Sequence, residues 1–248
     1  MLGRALDVVF PRRCAGCGGG AWPFCARCRD AVVPIAPPWC ARCGHPWPEP
    51  VDACPACPPP PVATARAPFA YVGPVTAAVR RLKFAGWRDV APALAAAVVV
   101  LGLPPVDAIT WVPLARDRRA ERGYDQARAL AVAIGRETGT PVTRLARRTV
   151  RTGAQARRDA RERREAMRGA FAAVTRPPAR VLLVDDVLTT GATVAACAEA
   201  LVTAGAGTVH VAAAARSVRR DALRPSGGRA YPRVGPRPGL WLPGDPPR

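Results

Sequence analysis

Hydrophobic residues in this chain follow two patterns: apolar faces at helical spacing, and short apolar runs that stop at polar residues. Leu2, Ala5, Leu6 and Val9 share one helical face, so a short amphipathic helix is expected at the start, ended by Pro11. Residues 69–72 predict a short strand, Pro74 opens a helix running through Lys83, and 88–101 continue a helical pattern with Pro92 near its first turn. Alternation over 106–112 predicts a strand that ends at Pro113, Leu114, Ala115 and Arg116. From Gln126, Ala129, Leu130, Ala133 and Ile134 mark one helical face, which Gly139, Thr140 and Pro141 stop. Residues 142–145 and 171–174 predict short strands, the second at an edge.

The run at 181–184 is four apolar residues closed by Asp185 and Asp186, the pattern of a strand buried on both faces of a parallel sheet. A helix follows from Ala192, glycines 205 and 207 cap it, and 208–215 predict a last buried strand. The implied fold class is α/β, a parallel sheet flanked by helices. With 248 residues and 49% apolar content, the chain can bury one core and carry a small extra module. The longest apolar run, 93–101, falls short of the about 20 residues a bilayer needs, and 1–11 lacks the apolar region and cleavage site of a signal peptide. No membrane insertion and a cytoplasmic location are expected.

Cysteines change the picture of the first quarter. Cys14, Cys17, Cys25 and Cys28 form two C-x-x-C pairs, and Cys40, Cys43, Cys54 and Cys57 repeat the arrangement. A C-x-x-C turn offers two thiolates from one knuckle, so two knuckles complete a tetrahedral zinc site. Disulfides are the alternative, but they belong to secreted scaffolds, and cytosolic thiols stay reduced. We assign two structural Zn²⁺ ions, one to each neighbouring set of four; spacing leaves a crossed arrangement open. His45 reads as a surface histidine beside a complete sulfur set, and Trp22, Trp39 and Trp47 as caps on small metal-bound cores. The expected organisation is a zinc module at 1–57, a proline-rich linker at 58–66, an α/β domain at 67–217 and a disordered basic, Pro/Gly-rich tail at 218–248. Loss of a zinc is then expected to unfold the leader and spare the α/β domain.

The formal charge is +19, nearly all from arginine, and eight zinc-bound thiolates reduce it only partly. This balance favours contact with polyanions. Residues 144–168 hold ten arginines against three acids, with no apolar face long enough for a core, so they read as a mobile loop passing into an exposed helix. Arg157, Arg158, Arg161, Arg163 and Arg164 are the candidate nucleic-acid contacts.

The candidate ligand site is the turn after the 181–184 run: Asp185, Asp186, Val187, Leu188, Thr189, Thr190, Gly191, Ala192 and Thr193. Free N–H groups at a helix start attract a phosphate, threonine hydroxyls add donors, and Gly191 lets backbone approach. Two carboxylates upstream accept hydrogen bonds from vicinal hydroxyls, so the ligand inferred is a ribose 5-phosphate. A receiver domain also carries an apolar run ending in two aspartates, but it needs a lysine downstream, and the one lysine here, Lys83, lies upstream. The plainer alternative is an ordinary buried strand and turn. Cys197, mid-helix among alanines, and His210, within a strand pattern, read as structural.

The 181–193 string resembles the phosphoribosyl-diphosphate (PRPP) motif of type I phosphoribosyltransferases. Together with the two cysteine tetrads, L-K-F at 82–84, V-P-L at 112–114, R-G-Y-D-Q at 122–126, T-x-x-Q at 152–155 and R-G-A-F at 168–171, it is similar to the ComF family over about residues 1–217. That resemblance implies a double zinc ribbon ahead of a type I phosphoribosyltransferase-like domain. It also implies PRPP or a related ribose 5-phosphate as ligand, with Mg²⁺ accompanying PRPP. Asp185 and Asp186 would hold the ribose hydroxyls and the following loop the 5-phosphate. Residues 111–116 correspond to the diphosphate loop and 147–164 to a hood over the site. Family members serve natural transformation, so single-stranded DNA and a DNA-translocating helicase are implied partners. Ala115 stands where the family has histidine, Asp125 where it has asparagine, and an asparagine usual near Ala166 is missing; Arg116, Arg118, Arg119 and Arg122 are expected to compensate at the diphosphate. A non-catalytic single-stranded nucleic-acid adaptor on the same fold is the alternative.

Overall fold

The computed structural model describes residues 13–149 and 169–218. The predicted first helix, the 150–168 arginine stretch and the tail from 219 lie outside the described residues.

Two cysteine-bearing ribbons come first, the earlier one carrying the short helix α1 (Ala26–Asp30). The α/β unit then runs β1 (Val62–Arg66), β2 (Phe69–Ala70), α2 (Gly73–Phe84), α3 (Val90–Val100) and β3 (Ala108–Trp111). It continues through α4 (Arg116–Arg122), α5 (Gln126–Thr138), β4 (Ala146–Arg148), β5 (Phe171–Ala173), β6 (Arg180–Leu188), α6 (Ala192–Thr203) and β7 (Thr208–Arg216). The main sheet is wholly parallel in the order β1-β7-β6-β3, with β2 also on β7, while β4 and β5 form a separate antiparallel pair. The α/β expectation therefore holds.

Alternation along β6 decides what covers the sheet. Val181 and Leu183 face α6, whereas Leu182 and Val184 join Leu82 of α2, Leu94 of α3 and Leu130 of α5. Helix α3 is apolar on nearly every side because it lies inside this stack. No helix among the described residues is long and apolar enough to cross a membrane.

Three expectations change. The linker reading of 58–66 gives way at Val62, because 62–66 pair with β7 from Val62↔Val209 to Arg66↔Ala212 and bury Val62 and Ala65. The proline run ends at Pro61, and the backbone donors that follow fill an edge of β7 that would otherwise stay unpaired. Residues 142–145 contribute a single bridge, Val142↔Ile109, and the strand proper begins at Ala146, which pairs with Ala173. The stretch after Pro113 becomes α4, whose mostly exposed, polar residues gave no apolar period to read; Gly123 ends it in the left-handed region at φ 71°.

The zinc module is not a separate lobe. Cys14, Phe24 and Cys28 belong to the core on the α2/α3/α5 face, while Cys40, Cys43 and Cys54 belong to the core on the α6 face. Arg81 of α2 ties the first ribbon down by donating to the carbonyls of Ala15 and Gly16, both at 2.6 Å.

Candidate functional site

Strand β6 does not stop at the acid pair. Small residues on β7 keep the ladder going through Asp185↔Ala213 and Val187↔Ala215 to Leu188↔Arg216. Because successive strand residues point to opposite faces, Asp185 and Asp186 project on opposite sides of the sheet. The strand runs on to Leu188, which corrects the expectation that the acid pair sits at its carboxyl end.

Asp186 is buried, at 5% exposure, and both its oxygens are engaged. Lys83 Nζ, from the last turn of α2, lies 2.7 Å from Oδ1, and Gln126 Nε2, at the start of α5, donates to Oδ2 at 2.7 Å. Neither partner carries a role in the sequence reading. Both stand inside motifs noted there, but only the packing of α2 and α5 on one face of β6 brings them together. Asp185 is half-buried, and its Oδ1 accepts the Asp186 amide at 2.8 Å. Burial, followed by the adjacent Asp186 charge, pushes the Asp185 carboxyl up to about 8. Its face is that of Cys197, a buried thiol that burial pushes up from the ordinary range, which suits the structural role expected of it.

The loop after β6 has the expected form. Thr189 and Thr190 are exposed, Thr193 is half-buried, and Gly191 sits at φ 76° as the residue before α6, with Ala192 first in the helix. Thr190 Oγ1 accepts from Ala192 N at 3.4 Å, and Ser217 N closes the other side by donating to the Leu188 carbonyl at 2.9 Å.

The loop at 112–115 is held by Asp125. Its Oδ2 accepts from Leu114 N at 3.0 Å, while Oδ1 caps α5 by accepting from Ala127 N and Arg128 N at 3.1 and 3.2 Å. Burial raises the Asp125 carboxyl, and these backbone donors oppose the rise. Arg116 is exposed at the start of α4, and Arg122 lies with Cζ 4.6 Å from the centre of the Phe84 ring, next to Lys83. Arg157, Arg158, Arg161, Arg163 and Arg164 are outside the described residues. The flanks of that stretch leave from one place, since β4 and β5 pair Arg148 with Phe171.

The donor set around the acid pair does not fit a protein-held Mg²⁺. That ion takes near-octahedral oxygen ligands. Each Asp186 oxygen already faces a donor, Lys83 adds positive charge, and among the described residues Asp185 is the less engaged carboxylate of the pair.

The cysteines do fit zinc, in the neighbouring arrangement. Within each set of four, the sulfurs lie within 4.8 Å of one another. Cys17–Cys25 is 3.8 Å, and Cys40–Cys57 and Cys43–Cys54 are both 3.6 Å. Tetrahedral Zn–S bonds of about 2.3 Å place sulfurs about 3.8 Å apart. One thiol of each set ionises easily. Burial works to raise Cys14 and Cys40, but backbone donors, joined by neighbouring cysteines, hold them down at about 6 and about 7. His45 is not on the surface. It is buried and accepts at Nδ1 from Arg216 Nε at 3.2 Å, and burial plus the Arg216 charge lower it to about 4. His210 accepts or donates at Nδ1 against Thr64 Oγ1 at 2.8 Å, linking β7 to β1.

Comparison with known proteins agrees with this arrangement of parts. The double zinc ribbon domain matches residues 5–58. The DNA utilization protein YhgH of Salmonella typhi is 33% identical over 202 residues, covering 77% of this chain and 88% of that protein. Its counterpart in Escherichia coli K12 is 30% identical over 204 residues, covering 77% and 89%. Competence protein F of Haemophilus influenzae is 35% identical over 138 residues, covering 50% and 59%. Among solved structures, the glutamine PRPP amidotransferase of B. subtilis is similar at a TM-score of 0.38 and 21% identity, over 55% of this chain and 30% of that one. With a double zinc ribbon joined to a parallel α/β sheet, and relatives of this identity and coverage, the chain belongs to the ComF family.

Proposed function

We propose that this protein binds PRPP or a related ribose 5-phosphate at the carboxyl edge of β6, in the service of DNA uptake or processing. The carrying observation is the order of groups along one short segment: a half-buried carboxylate at Asp185, exposed hydroxyls at Thr189 and Thr190, and the α6 N-terminus opened by Gly191. A 5-phosphate matches the helix start and hydroxyls, and the sugar hydroxyls match the carboxylate. The DNA context is supported by the names of the relatives, a DNA utilization protein and a competence protein. Zinc-bound thiols support a reducing, cytoplasmic setting.

The reading extends to pentosyl transfer. An acceptor would attack C1 of the sugar as diphosphate leaves, with Asp125 fixing the loop at 112–115 and the α4 arginines facing the departing charge. Calorimetric titration with PRPP and with ribose 5-phosphate tests the binding. Saturable heat that is lost in a folded Asp185→Asn/Asp186→Asn variant is expected, and no binding by the unmodified protein overturns the reading.

One observation favours the adaptor reading as well. Arginines lie over aromatic rings at three neighbouring places: Arg122 on Phe84, Arg88 on Tyr124 and Arg81 on Trp87, at 4.6, 4.6 and 5.2 Å. Phe84 is 61% exposed, and exposed rings beside cations suit stacked single-stranded bases. Oligonucleotide binding that falls steeply with salt and weakens in Phe84→Ala is the expected result.

A further inference from the structure

Two polar side chains from different helices meet at Asp186, and the acid-pair-and-loop account of the site uses neither. Lys83 is the chain's single lysine, where every other strongly basic residue is arginine. Its side chain is 19% exposed, and an ammonium has three donors, of which one faces Asp186. Gln126 is 5% exposed and donates through Nε2 to the same carboxylate, while its Oε1 is buried and has no hydrogen-bond partner among the described residues. A buried acceptor left unpaired is costly, so its persistence calls for a group that completes it.

We propose that Lys83 and Gln126 are ribose-binding residues, the ammonium donating to a ligand oxygen and Gln126 Oε1 accepting from a ligand hydroxyl, so that ribose 5-phosphate binds without a divalent cation. This rests on the ribose-phosphate reading and deepens it. An anionic sugar phosphate approaching the Asp186 carboxylate needs a compensating positive charge, from a metal or from the protein. Here the protein has fixed one: Lys83 is locked at Asp186 in the last turn of α2, where the helix dipole also favours a cation. Asp186 is thereby a positioning residue, and Lys83 and Gln126, on the same face of the sheet, present a donor and an acceptor to the sugar hydroxyls.

The test is calorimetric titration of the full-length, zinc-loaded protein with ribose 5-phosphate, in buffer cleared of divalent cations by chelating resin and in the same buffer with Mg²⁺. Equal affinity in both is expected. Lys83→Met should weaken binding by about ten- to a hundredfold, as expected for losing a hydrogen bond to a charged group. Since Lys83→Met leaves Asp186 buried without its cation, Gln126→Met is measured beside it; it keeps the ion pair and should lose about tenfold. Binding that requires Mg²⁺, or folded variants that bind as tightly as the unmodified protein, overturns the proposal. Absence of binding in both buffers overturns the ribose-phosphate reading itself, and this inference with it.

Discussion

Gly191 lies against Pro58: a Cβ built on the glycine would stand 2.7 Å from the proline Cβ. The loop that opens α6 and the chain leaving the second zinc ribbon therefore share one contact with no room between them. Gly191→Ala meets this clash in addition to its left-handed φ of 76°. The expected loss is about 2 kcal/mol or more in urea unfolding, together with loss of ribose 5-phosphate binding. Gly86→Ala is the control, since Gly86 has φ 71° and, among the described residues, no atom within 4 Å of an added Cβ. Equal losses at both positions would show that the Pro58 contact contributes nothing.

Zinc removal should reach the sheet. Cys28 packs in the same core as Leu82, and Cys43 in the same core as Leu183. Arg216, 1% exposed at the end of β7, donates to the carbonyls of Cys43 and Ala56 and to His45, so the second ribbon is fastened to the strand beside the loop. Cys43→Ser is expected to lose one zinc by metal analysis and to lower a single melting transition of the whole unit. A separate early transition, with the main one unmoved, would restore the independent leader expected from the sequence.

Asp185 gives stability a pH dependence of definite sign. Its folded carboxyl is raised from 3.8 to about 8, so between these values the folded state holds the extra proton. On this group's account stability is full below the lower value and declines as pH rises through the window. Asp185→Asn should flatten that part of a melting-temperature profile and gain most, relative to the unmodified protein, at the alkaline end. A slope unchanged by the substitution would rule Asp185 out as its source.

Asp125 stands where the resemblance leads one to expect asparagine. The carboxylate uses both oxygens as acceptors, one for Leu114 N and one for the first turn of α5. An asparagine offers one acceptor and turns a donor toward a donor. Asp125→Asn should cost about 1 kcal/mol by denaturant unfolding and loosen the loop at 112–115. A neutral or stabilising result would remove this account of the departure.

Local pattern alone determined much of this protein. The 181–184 run, the hydroxyl loop, the helix from Ala192 and both cysteine tetrads were legible because each depends on residues close in sequence: a strand's apolar run, a helix start, a C-x-x-C turn. Tertiary structure decided the rest. That 62–66 join the sheet depends on β7 offering an edge, and no periodicity in five residues reveals a neighbour from nearly 150 positions away. The burial of His45 likewise depends on Arg216, and the unequal state of the two aspartates on Lys83 and Gln126, which arrive from α2 and α5. A side chain's charge state and partners are set by what surrounds it in space, so sequence could place the acids at a ligand-bearing edge, and only the fold could show that one is already held and the other left open.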